Sequence, residues 1–116
     1  MKKIQYNKKT VKIHHLGYTI VFLDIKDYNH QINIDRFENV CICIGSHKSE
    51  IYLKDIKKYS DQKFFMHNAS SLAHEILHAL QHLSEYRGID MSQEKEHIAY
   101  LLQYIMNEFI GLEYSI

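Results

Sequence analysis

Residues 70–88 read SSLAHEILHALQHLSEYRG, and this stretch decides how the rest of the chain is organised. Leu72, Ile76, Ala79, Leu80 and Leu83 recur at the three- and four-residue spacing that lines one side of an α-helix. His74, Glu75, His78, His82 and Glu85 fall on the other side. The pattern predicts an amphipathic helix from Ser70 to Arg87. Asn68 or Ser70 can cap its start, and Arg87-Gly88 supplies a cationic last turn and a left-handed stop.

Toward the C-terminus, Asp90 or Ser92 can cap a second helix running from about Gln93 to Ile110 and ending at Gly111. Its apolar stripe is Ile98, Leu101, Leu102, Ile105, Met106 and Phe109. The connection from Gly88 to Ser92 is short enough to make the two helices neighbours packed side by side.

Toward the N-terminus the period changes from helical to twofold. TVKIHHLGYTIVFLDI is β-branched and aromatic, is broken at Leu16-Gly17, and reads as a strand hairpin between Lys9 and Ile25. A second strand pair follows: Glu38 to Ile44, a turn at Gly45-Ser46, then Glu50 to Leu53. The intervening DYNHQINIDRF reads as loop or a short helix. The expected fold is therefore α+β, a small antiparallel sheet of three or four strands packed on two long C-terminal helices.

A chain of 116 residues forms one domain, 1–116, so any catalytic site must be compact. No apolar run reaches the roughly 18 residues that span a bilayer, and no apolar segment follows the basic start MKKIQYNKKTVK. A cytoplasmic protein with no membrane partner is expected. Cys41 and Cys43, two apart on a strand, share one face. They read as small buried hydrophobes in a reducing compartment, because a metal would need further ligands close by.

Formal net charge is zero, but residues 1–69 hold 12 Lys/Arg against 7 Asp/Glu, and residues 70–116 hold 2 against 7. The acidic part is the part suited to a cation. Lysines 2, 3, 8, 9 and 12 lack the interleaved aromatics of a nucleic-acid surface, so a solvated face is expected and nucleic acid is not an expected partner.

In HEILH the histidines His74 and His78 are one helical turn apart, so both imidazoles can share one zinc ion at about 2.0–2.1 Å. Glu75, one position out of phase, can reach a water on the ion without ligating it, as a general base must. With nine His and eight Glu in the chain, the motif would occur by chance in about 5% of shuffled sequences. Its place on a capped amphipathic helix raises its weight. A solvated polar face is the plain alternative.

A catalytic zinc also needs a third protein ligand. His82, Glu85, Glu94, Glu96 and His97 are the candidates. His82 lies a further turn along, eight residues or about 12 Å of helix from His74, so it reads as a surface residue or a support for a ligand. Glu96, in the first turns of the second helix, is the first choice, with Glu94 and His97 behind it. Tyr100, four residues on, could donate to a developing oxyanion or orient a ligand, or simply pack between helices.

HEILHALQHL followed by a glycine-containing turn and EHIAYLLQYI resembles the gluzincin type of zinc metallopeptidase, in which a glutamate on the next helix completes the His-Glu-x-x-His site. The chain is also similar to small phage and prophage proteins that combine His-Glu-x-x-His with a downstream Glu-x-x-Ala-Tyr, here Glu96 to Tyr100. The resemblance covers residues 70–105 and implies a zincin-like domain, with His74, His78 and Glu96 as zinc ligands and Glu75 as base. It implies a peptide or protein substrate paired with an edge strand, for which Glu50–Leu53 is the candidate. The expected function is zinc-dependent peptide hydrolysis. The alternative is a non-catalytic zinc-containing binding or anti-defence module, motivated by the small size and the missing cleft wall. The catalytic expectation stands on Glu96 converging with the two histidines.

Overall fold

The β-branched and aromatic runs form strands where twofold alternation places them. β1 (Lys8–Ile13) and β2 (Tyr18–Asp24) pair antiparallel, Lys8 opposite Leu23 and Ile13 opposite Tyr18. They are joined by a 3-10 turn over His14–Leu16 that closes on Gly17 at φ 59°, a left-handed conformation that a residue without Cβ adopts cheaply. β3 (Val40–Ile44) and β4 (Lys48–Leu53) form a second antiparallel pair across the Gly45 turn. The computed structural model describes residues 7–34 and 38–111, so Lys2, Lys3 and the last three residues of the DYNHQINIDRF segment lie outside it. A 3-10 turn over Ile25–Asp27 leads into that segment, and residues 28–34 form neither helix nor strand.

The sheet has four strands, but it is mixed rather than antiparallel throughout. β2 and β4 run parallel, Thr19 opposite Lys48 and Asp24 opposite Leu53, giving the order β1-β2-β4-β3. Burial explains the order. β4 buries Ser49, Ile51 and Leu53 on the helix side and Tyr52 on the other, and so is covered on both faces, whereas β3 buries no residue fully. A strand covered on both faces belongs inside a sheet. The expected substrate edge at Glu50–Leu53 is thus corrected: that segment is hydrogen-bonded to neighbours on both sides, and the edge beside the first helix is β3.

The first helix, α1 (Gln62–Arg87), begins eight residues before the expected Ser70. Asp61 caps it, its carboxylate accepting from the Phe64 N–H at 3.0 Å. Asn68 does not cap; its amide donates to the Phe64 carbonyl one turn back. Gly88, at φ 66°, ends the helix, and Arg87 ties that end to the β1–β2 turn through the carbonyls of Leu16 and Gly17. α2 (Lys95–Ile110) ends at Gly111 as expected.

Both helices cover one face of the sheet, α1 over β3 and β4 and α2 over β1. Ile13, Ile20, Phe22, Ile51 and Leu53 from the sheet meet Leu72, Ile76, Leu80 and Leu83 from α1 and Leu101, Ile105 and Phe109 from α2 in one core. Phe22 and Phe109 stack across it with ring centroids 4.5 Å apart. Because β2 and β4 alternate, Tyr18 and Ser49 also point to the helix side, where their hydroxyls meet. Among the described residues no helix is long and apolar enough to cross a membrane.

Candidate metal and catalytic site

The one-turn spacing of His74 and His78 on α1 brings their Nε2 atoms to 3.1 Å, with the rings edge to face at 4.7 Å. Two nitrogens on one tetrahedral zinc, each at about 2.0–2.1 Å, would stand about 3.3–3.4 Å apart. The pair is therefore spaced to share an ion with little movement. The His78 Nδ1 lies 3.2 Å from the Gln81 side-chain carbonyl oxygen, an acceptor. A hydrogen on Nδ1 would satisfy that acceptor and leave Nε2 with the lone pair a metal needs.

Glu75 is turned out of phase with both histidines, toward the sheet rather than into solvent. It was expected on the polar side of the helix, yet it is 8% exposed, at the seam between the apolar stripe and the histidine face. Its Oε1 lies 4.0 Å from His74 Nε2. Burial holds its carboxyl above the usual glutamate range, with His74 and His78 pulling the other way. Removing water from the carboxylate makes it a stronger proton acceptor, which is what a general base beside the histidine pair requires.

Two clefts open on either side of Glu75, each walled by α1 and by β3 or the residues leading into it. One, of about 530 Å³, is lined by Glu38, Asn39, Lys54, Ser71, His74 and Glu75 among others. The second, of about 440 Å³, includes Cys41, Cys43, Glu75, His78, His82 and Glu85. Glu75 thus stands at the junction of both. His82 belongs to the second cleft, with its Nδ1 held by the buried Tyr18 hydroxyl.

The structure does not bring Glu96 to this pair. Glu96 is exposed in the first turn of α2, and among the described residues no three His, Cys, Asp or Glu side chains are gathered closely enough to hold an ion. Tyr100 is 66% exposed and lines a separate groove of about 400 Å³ with Ile13, His14, His15, His97 and Tyr104. Glu94 and His97 pair with each other, Oε1 to Nδ1 at 3.7 Å. Neither Glu96 nor Tyr100, expected as third ligand and oxyanion donor, is gathered with the histidine pair as the side chains stand. Adjacency of the helices was right, but α2 lies on the β1 side of α1, whereas the clefts beside Glu75 open on the β3 side. No residue of α2 lines either cleft.

Sequence reasoning missed the contribution of the strand. The alternation of ENVCICI put both cysteines on one face, and that face is the one toward α1, where Cys41 packs on the core. Glu38 and Asn39, just before β3, form part of the cleft wall.

No family model, curated protein or solved structure matches the chain.

Proposed function

We propose that this chain is a zinc-dependent hydrolase of peptide bonds, with His74 and His78 as the ion's helical ligands and Glu75 as general base. The observation that carries the reading is the imidazole pair at 3.1 Å with a buried carboxylate 4.0 Å away at the meeting of two clefts. The residues fit two corners of a tetrahedral site and leave the third to be supplied. Glu38, the acidic side chain that lines the first cleft with His74 and Glu75, is our assignment for it in place of Glu96. As the side chains stand Glu38 does not converge with the pair, so its exposed carboxylate must rotate inward to complete the shell.

Zinc held by His74 and His78 would supply the Lewis acidity that activates water for attack. The desolvated Glu75 carboxylate accepts the proton of the attacking water and passes it to the leaving amine. The free edge of β3, Val40–Ile44, offers backbone N–H and C=O groups to an extended peptide, which aligns a scissile bond along the α1 face. Cys41 and Cys43 are free thiols, which suits a reducing compartment, and we place the activity in the cytoplasm.

Glu75→Gln tests the reading: it should keep zinc and lose cleavage of a peptide library, and retained cleavage would remove the mechanism. The absence of any α2 residue from the clefts favours a second reading, a zinc-containing binding or anti-defence module without turnover. Stoichiometric zinc, complete closure of its shell by protein and no cleavage would select it.

A further inference from the structure

The sheet has a second edge, β1, and the backbone bonds show which of its groups are turned outward. The Asp24 N–H donates to the Asn7 carbonyl at 3.0 Å, so Asn7 and then every second residue, Lys9, Val11 and Ile13, turn their backbone groups toward β2. Lys8, Thr10 and Lys12 turn theirs away from the sheet. The Lys12 carbonyl fixes this phase independently, because it accepts from the Tyr104 hydroxyl of α2 at 3.0 Å. Among the described residues no strand pairs with that outer side.

Side chains alternate along the same edge. Val11 and Ile13 are buried toward the helices, whereas Lys8, Thr10 and Lys12 are exposed on the opposite face. Beyond the Tyr104 bond the edge opens into the groove of about 400 Å³ against α2, with Ile13 and Leu101 as its floor. Tyr100, 66% exposed, stands on the rim one turn before Tyr104, and the His15 and His97 rings approach each other there with centroids 6.1 Å apart. No carboxylate is among the residues that line the groove; Glu94 is paired with His97 outside the lining. Among the described residues no carboxylate pairs with Lys8 or Lys12 either.

An edge with outward N–H and C=O groups is a template for one more strand, and charge decides whose. In a second copy paired antiparallel about Thr10, each Lys8 would stand opposite a Lys12, and like charges directly opposite destabilise a strand pair. A strand carrying carboxylates on that face is favoured instead. We propose that β1 and the groove between β1 and α2 form a docking surface for an extended segment of a partner protein in which acidic and apolar residues alternate, with its carboxylates on Lys8 and Lys12 and an aromatic side chain in the groove beside Tyr100. The alternation follows from the pleat: residues opposite Lys8 and Lys12 share the lysine face, and a residue opposite Ile13 points toward α2. The surface lies at the far edge of the sheet from β3, uses none of His74, Glu75 and His78, and goes beyond the hydrolase reading.

Fluorescence anisotropy of the full chain with the labelled, end-blocked peptide Trp-Glu-Val-Glu-Val-Glu-Trp tests it, a palindrome that presents the same faces in either strand direction. The expected result is saturable binding that weakens about tenfold or more when lysines replace the glutamates or alanines replace the tryptophans, and by a similar factor in Tyr100→Ala. In the double variant Lys8→Glu with Lys12→Glu the preference should reverse, the lysine peptide binding the tighter, which a purely structural role of these exposed lysines would not produce. Thr10→Pro removes one outward N–H and no bond to β2, a change an edge strand tolerates, and should abolish binding while leaving the circular dichroism unchanged. No binding at millimolar peptide, equal binding of the acidic and basic peptides, or binding that survives Thr10→Pro overturns the proposal. A dimer in sedimentation velocity that Thr10→Pro dissociates would assign the edge to a second copy and overturn it as well.

Discussion

Two concave regions flank the helical layer, and both carry imidazoles, but only one of them adds phenols. The groove between β1 and α2 holds His14, His15, His97, Tyr100 and Tyr104 over an apolar floor of Ile13 and Leu101. The clefts between β3 and α1 hold His74, His78 and His82 around Glu75. The difference lies in burial. Glu75 is sequestered by the core, whereas Glu94 and Glu96 on the other side stand in water. The two regions share a residue type, and what sets the clefts apart is a desolvated carboxylate beside imidazoles of fixed spacing, its basicity raised by burial.

The comparison breaks most decisively at Glu75. Glu75→Gln should lower peptide cleavage by about a hundredfold or more, while Tyr100→Phe in the groove should leave the rate unchanged. If the rates respond the other way round, the assignment of the two concavities is wrong. Next in size is the core that both regions share: Leu80→Ala removes a fully buried side chain from α1 and should cost about 2–5 kcal/mol in urea unfolding.

Titration sharpens the contrast further. Glu75 is held above the ordinary glutamate range in the folded chain, so its protonated form is the one folding favours. Its contribution to stability is fully present below the unfolded glutamate value, about 4.3, and is lost as pH rises through the raised folded value. Thermal melts should accordingly show Glu75→Gln gaining on the wild type as pH rises from acid to neutral. A constant difference across that window would show that Glu75 is solvated after all.

Smaller effects are expected on the groove side. Tyr104 donates to the Lys12 carbonyl at 3.0 Å, fastening α2 to β1. Tyr104→Phe should cost about 0.5–1.5 kcal/mol without altering metal content. The smallest effect belongs to Glu96→Gln, which should stay within about 0.5 kcal/mol in stability and leave zinc affinity unchanged. Glu38→Gln, by contrast, should weaken zinc binding, read by competition with a chromogenic chelator. Equal losses from both substitutions would restore a role for α2.

Much of this was legible in the linear pattern, and the failures share one cause. The 3.6-residue stripe of Leu72, Ile76, Leu80 and Leu83 marked α1, and the twofold runs marked all four strands, because local periodicity reports which side of an element is apolar. The start of α1 escaped because Phe64 and Phe65 are adjacent and Met66 and His67 are exposed, so the first turns show no clean stripe. The order of strands escaped because alternation assigns faces, not neighbours. β4 was misread as an edge for that reason, and with it the place where a peptide strand could add.

What the amino-acid order determined by itself was local: that His74 and His78 stand one turn apart on a helix, that Glu75 is out of phase with them, and that Cys41 and Cys43 share a strand face. These follow from the rise and twist of single elements. Only the tertiary structure decided which elements meet. Packing placed α2 beside β1, carrying Glu96 and Tyr100 away, and brought β3 against the histidine helix, giving Glu75 its burial and His82 its partner in Tyr18. Convergence depends on how whole helices and strands are laid against each other, and spacing along the chain does not encode that for residues on separate elements.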